Sequence, residues 1–150
     1  MFGNQQRQEI GKVFEDASAE AQRLGDRRVG TEHIALAMLH DPDSVTAKAL
    51  GVSLADAREA LQTLDSAALA VVGIQALEPG PAQPAKVRIR LTPAARETLN
   101  GLRFDRNAKP LRPQHVLLGL LGRASPDPVA ELIDALGIDR EQVRERLLVS

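Results

Sequence analysis

The sequence predicts an all-α fold made of two copies of one four-helix unit, about eight helices in all. The composition favours helix over strand, because the chain holds three Phe and no Trp or Tyr, so that Ala, Leu, Val and Ile must fill the core. Apolar residues recur at spacings of three and four, as on one face of a helix. The second half of the chain also repeats the apolar pattern of the first half, which indicates duplication.

Length and charge limit the class of protein. A chain of 150 residues fits one domain with its own core. Its 19 Lys and Arg nearly balance 20 Asp and Glu, which disfavours nucleic acid as a partner. The absence of Cys excludes disulfides and zinc–thiolate sites. With no signal peptide and no membrane-spanning run, we expect a cytoplasmic protein without a membrane partner, whose isolated domain is monomeric.

Four helices are expected in the first half of the chain, at Ile10–Leu24, Thr31–Leu39 and Val45–Leu50 and after Ser53. Gly25 and Gly51 follow the first and third of them, where glycine commonly ends a helix. Ser53 can cap the fourth helix, with Asp56 at the capping-box position.

The composition of the chain and its helical periodicity change at Gly73. Residues 73–90 hold three of the nine prolines and show no helical period, so we interpret 73–91 as a linker whose last part, Lys86–Arg90, is extended. Helical spacing resumes at Thr92 and Pro93, a pattern typical of a helix start. The expected organisation is a single domain, 1–150, with repeat one at about 4–72 and repeat two at about 92–150.

The two halves align residue by residue. At a separation of 82 residues, and of 86 after a four-residue insertion, the aligned pairs include His33 with His115, Leu36 with Leu118, Gly51 with Gly137 and Arg58 with Arg144. Asp139 takes the place of Ser53, and both residue types are good helix caps. Each unit has one apolar face, so the two units can bury these faces against each other.

Catalytic and metal sites are not indicated. His33 and His40 are seven residues apart, about 10 Å along a helix, whereas a zinc-binding helix places its histidines four apart. We expect His33 to bond to a neighbouring segment and His40 to favour the negative end of its helix. Gly11 and Lys12 lack the upstream glycine of a phosphate-binding loop, and no nucleophile elbow is present. We therefore predict no enzyme activity, no metal and no cofactor.

Glu32 is the candidate binding residue. It follows Thr31 at a helix start, where free N–H groups and the helix dipole suit an anion. A carboxylate there can also accept a guanidinium in a bidentate pair. From the residues alone, the simpler interpretation, that Glu32 only complements the dipole, is favoured.

A family resemblance changes that balance. The pattern VGTEHIALAML…ALGVSLADAREAL, with its second copy LRPQHVLLGLL…ALGIDREQVRERL, resembles the double Clp repeat at the N-terminus of Clp ATPases, most of all the ClpC type. The specific parts are GTEHI at Gly30–Ile34 and EAxxLG at Glu20–Gly25. Nearly the whole chain is covered.

The resemblance implies a mobile module that recruits substrate proteins and adaptor proteins to a Clp ATPase and its peptidase. In ClpC-like proteins it also implies binding of phosphorylated arginine, with the Glu of each motif facing the guanidinium. Carried over, this assigns Thr31 and Glu32 as one site. The matching Pro113 and Gln114 form a degenerate second site, since they lack the hydroxyl and the charge.

Some features depart from the family pattern. Gln6 and Arg7 replace the usual opening of the first helix, and the connection at 106–113 is short, which puts ordinary adaptor recognition in doubt. Two versions stay open: the N-domain of a full unfoldase, or a free-standing Clp-repeat regulator or decoy. The degenerate second motif favours the latter. A small helical enzyme or a nucleic-acid factor, with Lys86–Arg90 touching phosphates, is the rival from another class.

Overall fold

The computed structural model describes residues 2–71, 90–104, 112–125 and 127–149. Within these ranges the chain forms eight α-helices and no strand, which confirms the all-α prediction. The helices are α1 Phe2–Arg23, α2 Thr31–Ala37, α3 Val45–Leu50, α4 Leu54–Val71, α5 Pro93–Phe104, α6 Pro113–Leu121, α7 Pro128–Ala135 and α8 Arg140–Val149. None of these helices combines the length and hydropathy needed to cross a bilayer.

Local signals place most helix ends in the first half. Gly51 ends α3 with φ 71°, a left-handed conformation that costs glycine little. The hydroxyl of Ser53 accepts from the backbone N–H of Asp56 at 3.1 Å, as predicted. The prediction that α2 runs to Leu39 was wrong. Met38 and Leu39 continue the apolar spacing, but they are buried in the turn that follows Ala37.

The same signals operate in the second half. The Thr92 hydroxyl accepts from the N–H of Ala95 at 3.2 Å, so that α5 starts at the predicted Thr-Pro pair. Asp139 accepts from the N–H of Glu141 at 3.0 Å and caps α8 in the role that Ser53 has for α4. Gly137, the counterpart of Gly51, has φ 69°. Equivalent residues therefore end equivalent helices in both repeats.

Packing between the helices follows a pseudo-two-fold pattern. Within the repeats, α1 packs on α2 as α5 packs on α6, and α2 meets α4 as α6 meets α8. Between the repeats, α3 packs on α8 as α7 packs on α4. Arg146 of α8 also donates to the carbonyl of Ala49 in α3 at 2.8 Å. Each third helix thus lies against the fourth helix of the other repeat.

The core is aliphatic and alanine-rich, as the composition predicts. Small residues such as Ala17, Ala57 and Ala95 are fully buried and let helices approach closely. The largest buried side chains belong to the two central helices and their ends, namely Ile34, Leu36, Met38, Leu117, Leu120 and Leu121. The motif helices α2 and α6 therefore form the centre of the domain.

One short contact joins the start of repeat two to repeat one. Val29 and Leu91 form a parallel β-bridge, in which Val29 N–H donates to the carbonyl of Arg90 and Thr92 N–H donates to that of Val29, at 2.6 and 2.9 Å. Most of the predicted linker, including the extended stretch up to residue 89, lies outside the described residues. The predicted repeat boundaries stay predictions.

Candidate functional site

Thr31 lies in the first turn of α2 and joins the two repeats. Its side chain is buried, and its hydroxyl donates to Oδ1 of Asp127 at 2.5 Å. Asp127 precedes α7, where Oδ1 also accepts from the N–H of Val129 at 3.0 Å and Oδ2 from Nε of Arg123 at 2.8 Å. The Thr31 hydroxyl is therefore part of a buried hydrogen-bond network rather than a surface group.

His33 closes the first turn of the same helix. Its Nδ1 accepts from the backbone N–H of Gly30 at 2.9 Å, so Nδ1 carries no proton. The proton of the neutral ring then lies on Nε2, which donates to Oδ2 of Asp26 at 2.9 Å. This confirms the prediction that His33 bonds to a neighbouring segment, since Asp26 lies in the loop before the helix.

Glu32 folds back over Gly30. Its side chain is 16% exposed, and Oε1 lies 3.6 Å from Nδ1 of His33. A Cβ placed on Gly30 would lie 2.8 Å from Oε1 and from Cδ of Glu32, so glycine leaves the space that the carboxyl group occupies. The other oxygen, Oε2, is buried and has no hydrogen-bond partner among the described residues. This oxygen can accept a donor that arrives from outside.

Two further carboxyl groups, those of Asp26 and Asp65, act on Glu32 and His33. Burial raises the pKa of Glu32, and the charges of Asp26 and Asp65 raise it further. Burial likewise raises the pKa of Asp65 in α4, with Asp26 adding to the effect. We call Asp26, Glu32 and Asp65 the acidic notch. Negative charge gathered around a helix start does not favour a free anion, but it suits a guanidinium.

The second motif has the same histidine-to-backbone hydrogen bond as the first but lacks its hydroxyl and carboxylate groups. Nδ1 of His115 accepts from the backbone N–H of Arg112 at 3.1 Å, just as His33 accepts from Gly30. Pro113 has neither an N–H nor a hydroxyl, and Gln114 is uncharged. These two residues line a groove of about 350 Å³ together with residues of α1 and of the turn after α2. The candidate residues of the two motifs thus lie at two separate helix starts.

His40 bonds to a buried carboxylate of α1. It lies beyond the end of α2, and its Nε2 is 2.8 Å from Oε1 of Glu20 in α1. Glu20 is 1% exposed and also accepts from Nε of Arg58 at 3.1 Å and from Nε of Arg23 at 3.2 Å. Burial raises the pKa of Glu20, but the hydrogen bonds from Arg58, His40 and Arg23 outweigh it, and the net pKa lies below its usual value. His40 lies just past the C-terminal end of α2, where it was expected, and its ring also bonds to the carboxylate of Glu20.

Sequence reasoning missed three acidic residues that organise the site. Asp127 precedes a proline at the start of α7, and this Asp-Pro pair was a usable signal for a helix cap. Asp26 and Asp65 carried no signal of their own. They approach Glu32 only because the loop after α1 and the middle of α4 meet near the start of α2.

Known proteins are similar to nearly all of this chain. The family described as the Clp repeat (R) N-terminal domain matches residues 6–103. The chaperone protein ClpC1 of rice chloroplasts is 29% identical over 143 residues, which covers 91% of this chain and 14% of the relative. The negative regulator of genetic competence ClpC/MecB of Bacillus subtilis is 28% identical over 141 residues, covering 91% of this chain and 16% of the relative.

The chaperone protein ClpB of Oceanobacillus iheyensis is 28% identical over 144 residues, again with 91% of this chain and 16% of the relative covered. The chain therefore spans about one sixth or less of the length of these relatives. Three observations point to the same family. The described residues form eight helices in two equivalent sets, the Gly-Thr-Glu-His motif lies at a helix start, and the family match covers more than half of the chain. The chain belongs to the Clp repeat (R) N-terminal domain family.

Proposed function

We propose that this chain is a non-enzymatic protein-binding domain that recruits substrates or adaptor proteins to a Clp ATPase. Family membership supports the proposal, because the relatives it matches carry this domain as a small part of a longer chaperone or ATP-binding subunit. The two repeats pack around α2 and α6, and at the starts of these helices Glu32 and Gln114 stay partly exposed, where they can face a partner.

We further propose that Glu32 faces the guanidinium of a phosphoarginine side chain. The observation that carries this is the unpartnered Oε2 within the acidic notch, since a guanidinium would supply the missing hydrogen bond and offset the crowded negative charge. The phosphoryl group would lie outside the notch, away from the three carboxylates. The carboxyl group of Glu32 must swing away from Gly30 to receive the ligand.

In this proposal Thr31 positions the site rather than touching the ligand. Its hydroxyl already donates to Asp127, and its side chain is 1% exposed. The bond holds the first turn of α2 against α7 and fixes the direction in which Glu32 leaves the helix. Pro113 and Gln114 form the degenerate counterpart, because a neutral amide accepts a guanidinium more weakly than a carboxylate does.

Amide NMR tests the proposed site. Phosphoarginine at millimolar concentration should shift signals of residues 30–33 and leave those of residues 114 and 115 unmoved. Glu32→Gln should abolish the shifts. It should also leave the free domain as stable as the wild type or more so at pH 7, because a raised pKa means that the charged form of Glu32 opposes folding.

The matched control is Glu15→Gln, which removes an exposed carboxylate from α1 and should bind like the wild type. Unchanged spectra of the wild type at saturating ligand would contradict the proposal. A Glu32→Gln variant that unfolds at a much lower temperature would show instead that Glu32 is structural.

The degenerate second motif favours a second candidate, a free-standing regulator or decoy that carries no ATPase module. A domain that delivers substrates to a motor gains from two equivalent sites, and here one of the two has lost its carboxylate. The open reading frame distinguishes the candidates directly. Continuation into an ATPase module supports recruitment, and a stop codon after residue 150 supports the regulator.

A further inference from the structure

Three arginines line one surface depression beside the bridge between Val29 and Leu91. Among the described residues, Arg28, Arg90 and Arg96 line a volume of about 320 Å³ together with Leu91 and Pro93. All three arginines are exposed, and none has an ion-pair partner among the residues that the structure describes. We propose that these three side chains form a binding site for a single phosphate-type dianion.

The β-bridge explains why two of the arginines are neighbours. Val29 pairs with Leu91 in parallel register, so the preceding residues, Arg28 and Arg90, lie side by side and share one face of the two segments. Adjacent segments in such a pairing are about 4.8 Å apart. Like charges placed opposite each other destabilise a pair of this kind. The bridge therefore holds two guanidinium groups together at a cost that a bound anion would offset.

Arg96 adds a third positive charge to the same depression. It lies in the first turn of α5, where its N–H donates to the carbonyl of Thr92 at 2.9 Å. The start of this 12-residue helix carries the positive end of the dipole, which disfavours a cation and favours an anion. The placement of Arg28, Arg90 and Arg96 is thus unfavourable in the empty domain and favourable around an anion.

The volume of the depression and the three arginines that line it indicate a small anionic ligand. Three positive charges match the two negative charges of a phosphate group better than the one negative charge of a carboxylate. Each arginine can also donate two parallel hydrogen bonds, and a phosphate group offers more oxygens to accept them. Nucleic acid is disfavoured, since the chain has only three Phe and no Trp or Tyr on which bases could stack. Free phosphate and the phosphoryl group of a modified side chain share the recognised chemistry. This inference does not depend on the function proposed for Glu32.

The experiment titrates the labelled domain with inorganic phosphate, with sodium chloride at equal ionic strength as the reference. Side-chain Nε–H signals of Arg28, Arg90 and Arg96 and the amide signals of Leu91 and Thr92 should shift with phosphate alone. The double variant Arg28→Gln, Arg90→Gln should bind phosphate about tenfold more weakly or worse, because it loses two charge-assisted donors. Arg27→Gln is the matched control: Arg27 is exposed beside Arg28 but does not line the depression. It should change the affinity less than about twofold, as expected for a screened surface charge.

The possible outcomes separate the alternatives. O-phosphoserine that binds more tightly than inorganic phosphate assigns the site to modified side chains, and the reverse order assigns it to free phosphate. Equal shifts in chloride, or equal losses in the Arg27→Gln and double variants, would overturn the proposal. So would tighter binding of a mixed-sequence single-stranded oligonucleotide. Glu32→Gln should leave the phosphate response intact, which separates this test from that of the acidic notch.

Discussion

Glu20 makes more ion pairs than any other residue that the structure describes in repeat one. Its buried carboxylate accepts from Arg58 in α4, Arg23 in α1 and the ring of His40 after α2. A buried charge is tolerated only when it is paired, and here the donors come from three segments. The aligned Arg144 of repeat two binds Glu141 and the carbonyl of Leu121 instead, so this cluster is not duplicated.

Replacing Glu20 tests how much that cluster stabilises the fold. Glu20→Gln should lower the free energy of unfolding by about 2 to 3 kcal/mol at pH 7, near the low end for a broken buried pair because Arg58 and Arg23 can regain water. Urea unfolding of wild type and variant measures the difference. Glu15→Gln, an exposed change on the same helix, should cost less than about 0.5 kcal/mol.

The difference between wild type and Glu20→Gln should also depend on pH. The pKa of Glu20 in the folded state lies below its ordinary value of 4.5. Its contribution is therefore complete above that value and is lost as the pH falls through the folded-state pKa. A difference that stays constant down to pH 3 would show that the carboxylate charge has no part in it.

At the scale of the helices, most of the capping residues and helix ends could be predicted from the sequence. Ser53, Thr92 and Asp139 are capping residue types directly before apolar spacing, and glycine follows several helices. Each of these signals depends only on residues within a few positions of the helix end, so it can be identified from the sequence alone. Asp127, the partner of Thr31, is 96 residues away, and Arg58, a partner of Glu20, is 38 residues away; no local pattern shows which distant side chain will meet them.

Asp127 should be the most important cap of the domain. Asp127→Ala removes acceptors for Thr31, Val129 and Arg123 at once and leaves buried donors unpaired, so we expect a loss of about 2 to 4 kcal/mol. Asp139→Ala removes an exposed cap and should cost about 0.5 to 1 kcal/mol. Thermal and urea unfolding compare the two variants.

A double-mutant cycle isolates the contact between the repeats. Thr31→Val combined with Asp127→Ala should reveal a coupling of about 1 kcal/mol, because the two side chains share one buried hydrogen bond. Equal destabilisation by the two aspartate variants, or additive effects of Thr31→Val and Asp127→Ala, would contradict the role given to this bond.

At the scale of the whole molecule, the sequence predicted the duplication of the fold. It predicted only part of the chemical difference between the two motifs. The alignment of His33 with His115 correctly predicted two equivalent helix starts. The structure adds that each histidine accepts a hydrogen bond from the backbone N–H three residues before it. The loss of charge at Gln114 was visible in the sequence. The acidic notch was not, since Asp65 comes near Glu32 only through the packing of α4 on α2.

The stoichiometry of phosphoarginine binding tests the central claim, that the fold is duplicated and the binding chemistry is not. Calorimetry of the wild type should give one site, and Glu32→Gln should give none. The triple variant Arg112→Gly, Pro113→Thr, Gln114→Glu restores the first motif at the second helix start without counterparts of Asp26 and Asp65, so it should add a second site that binds more weakly than the first. A wild type with two sites, or binding that survives Glu32→Gln, would contradict the claim.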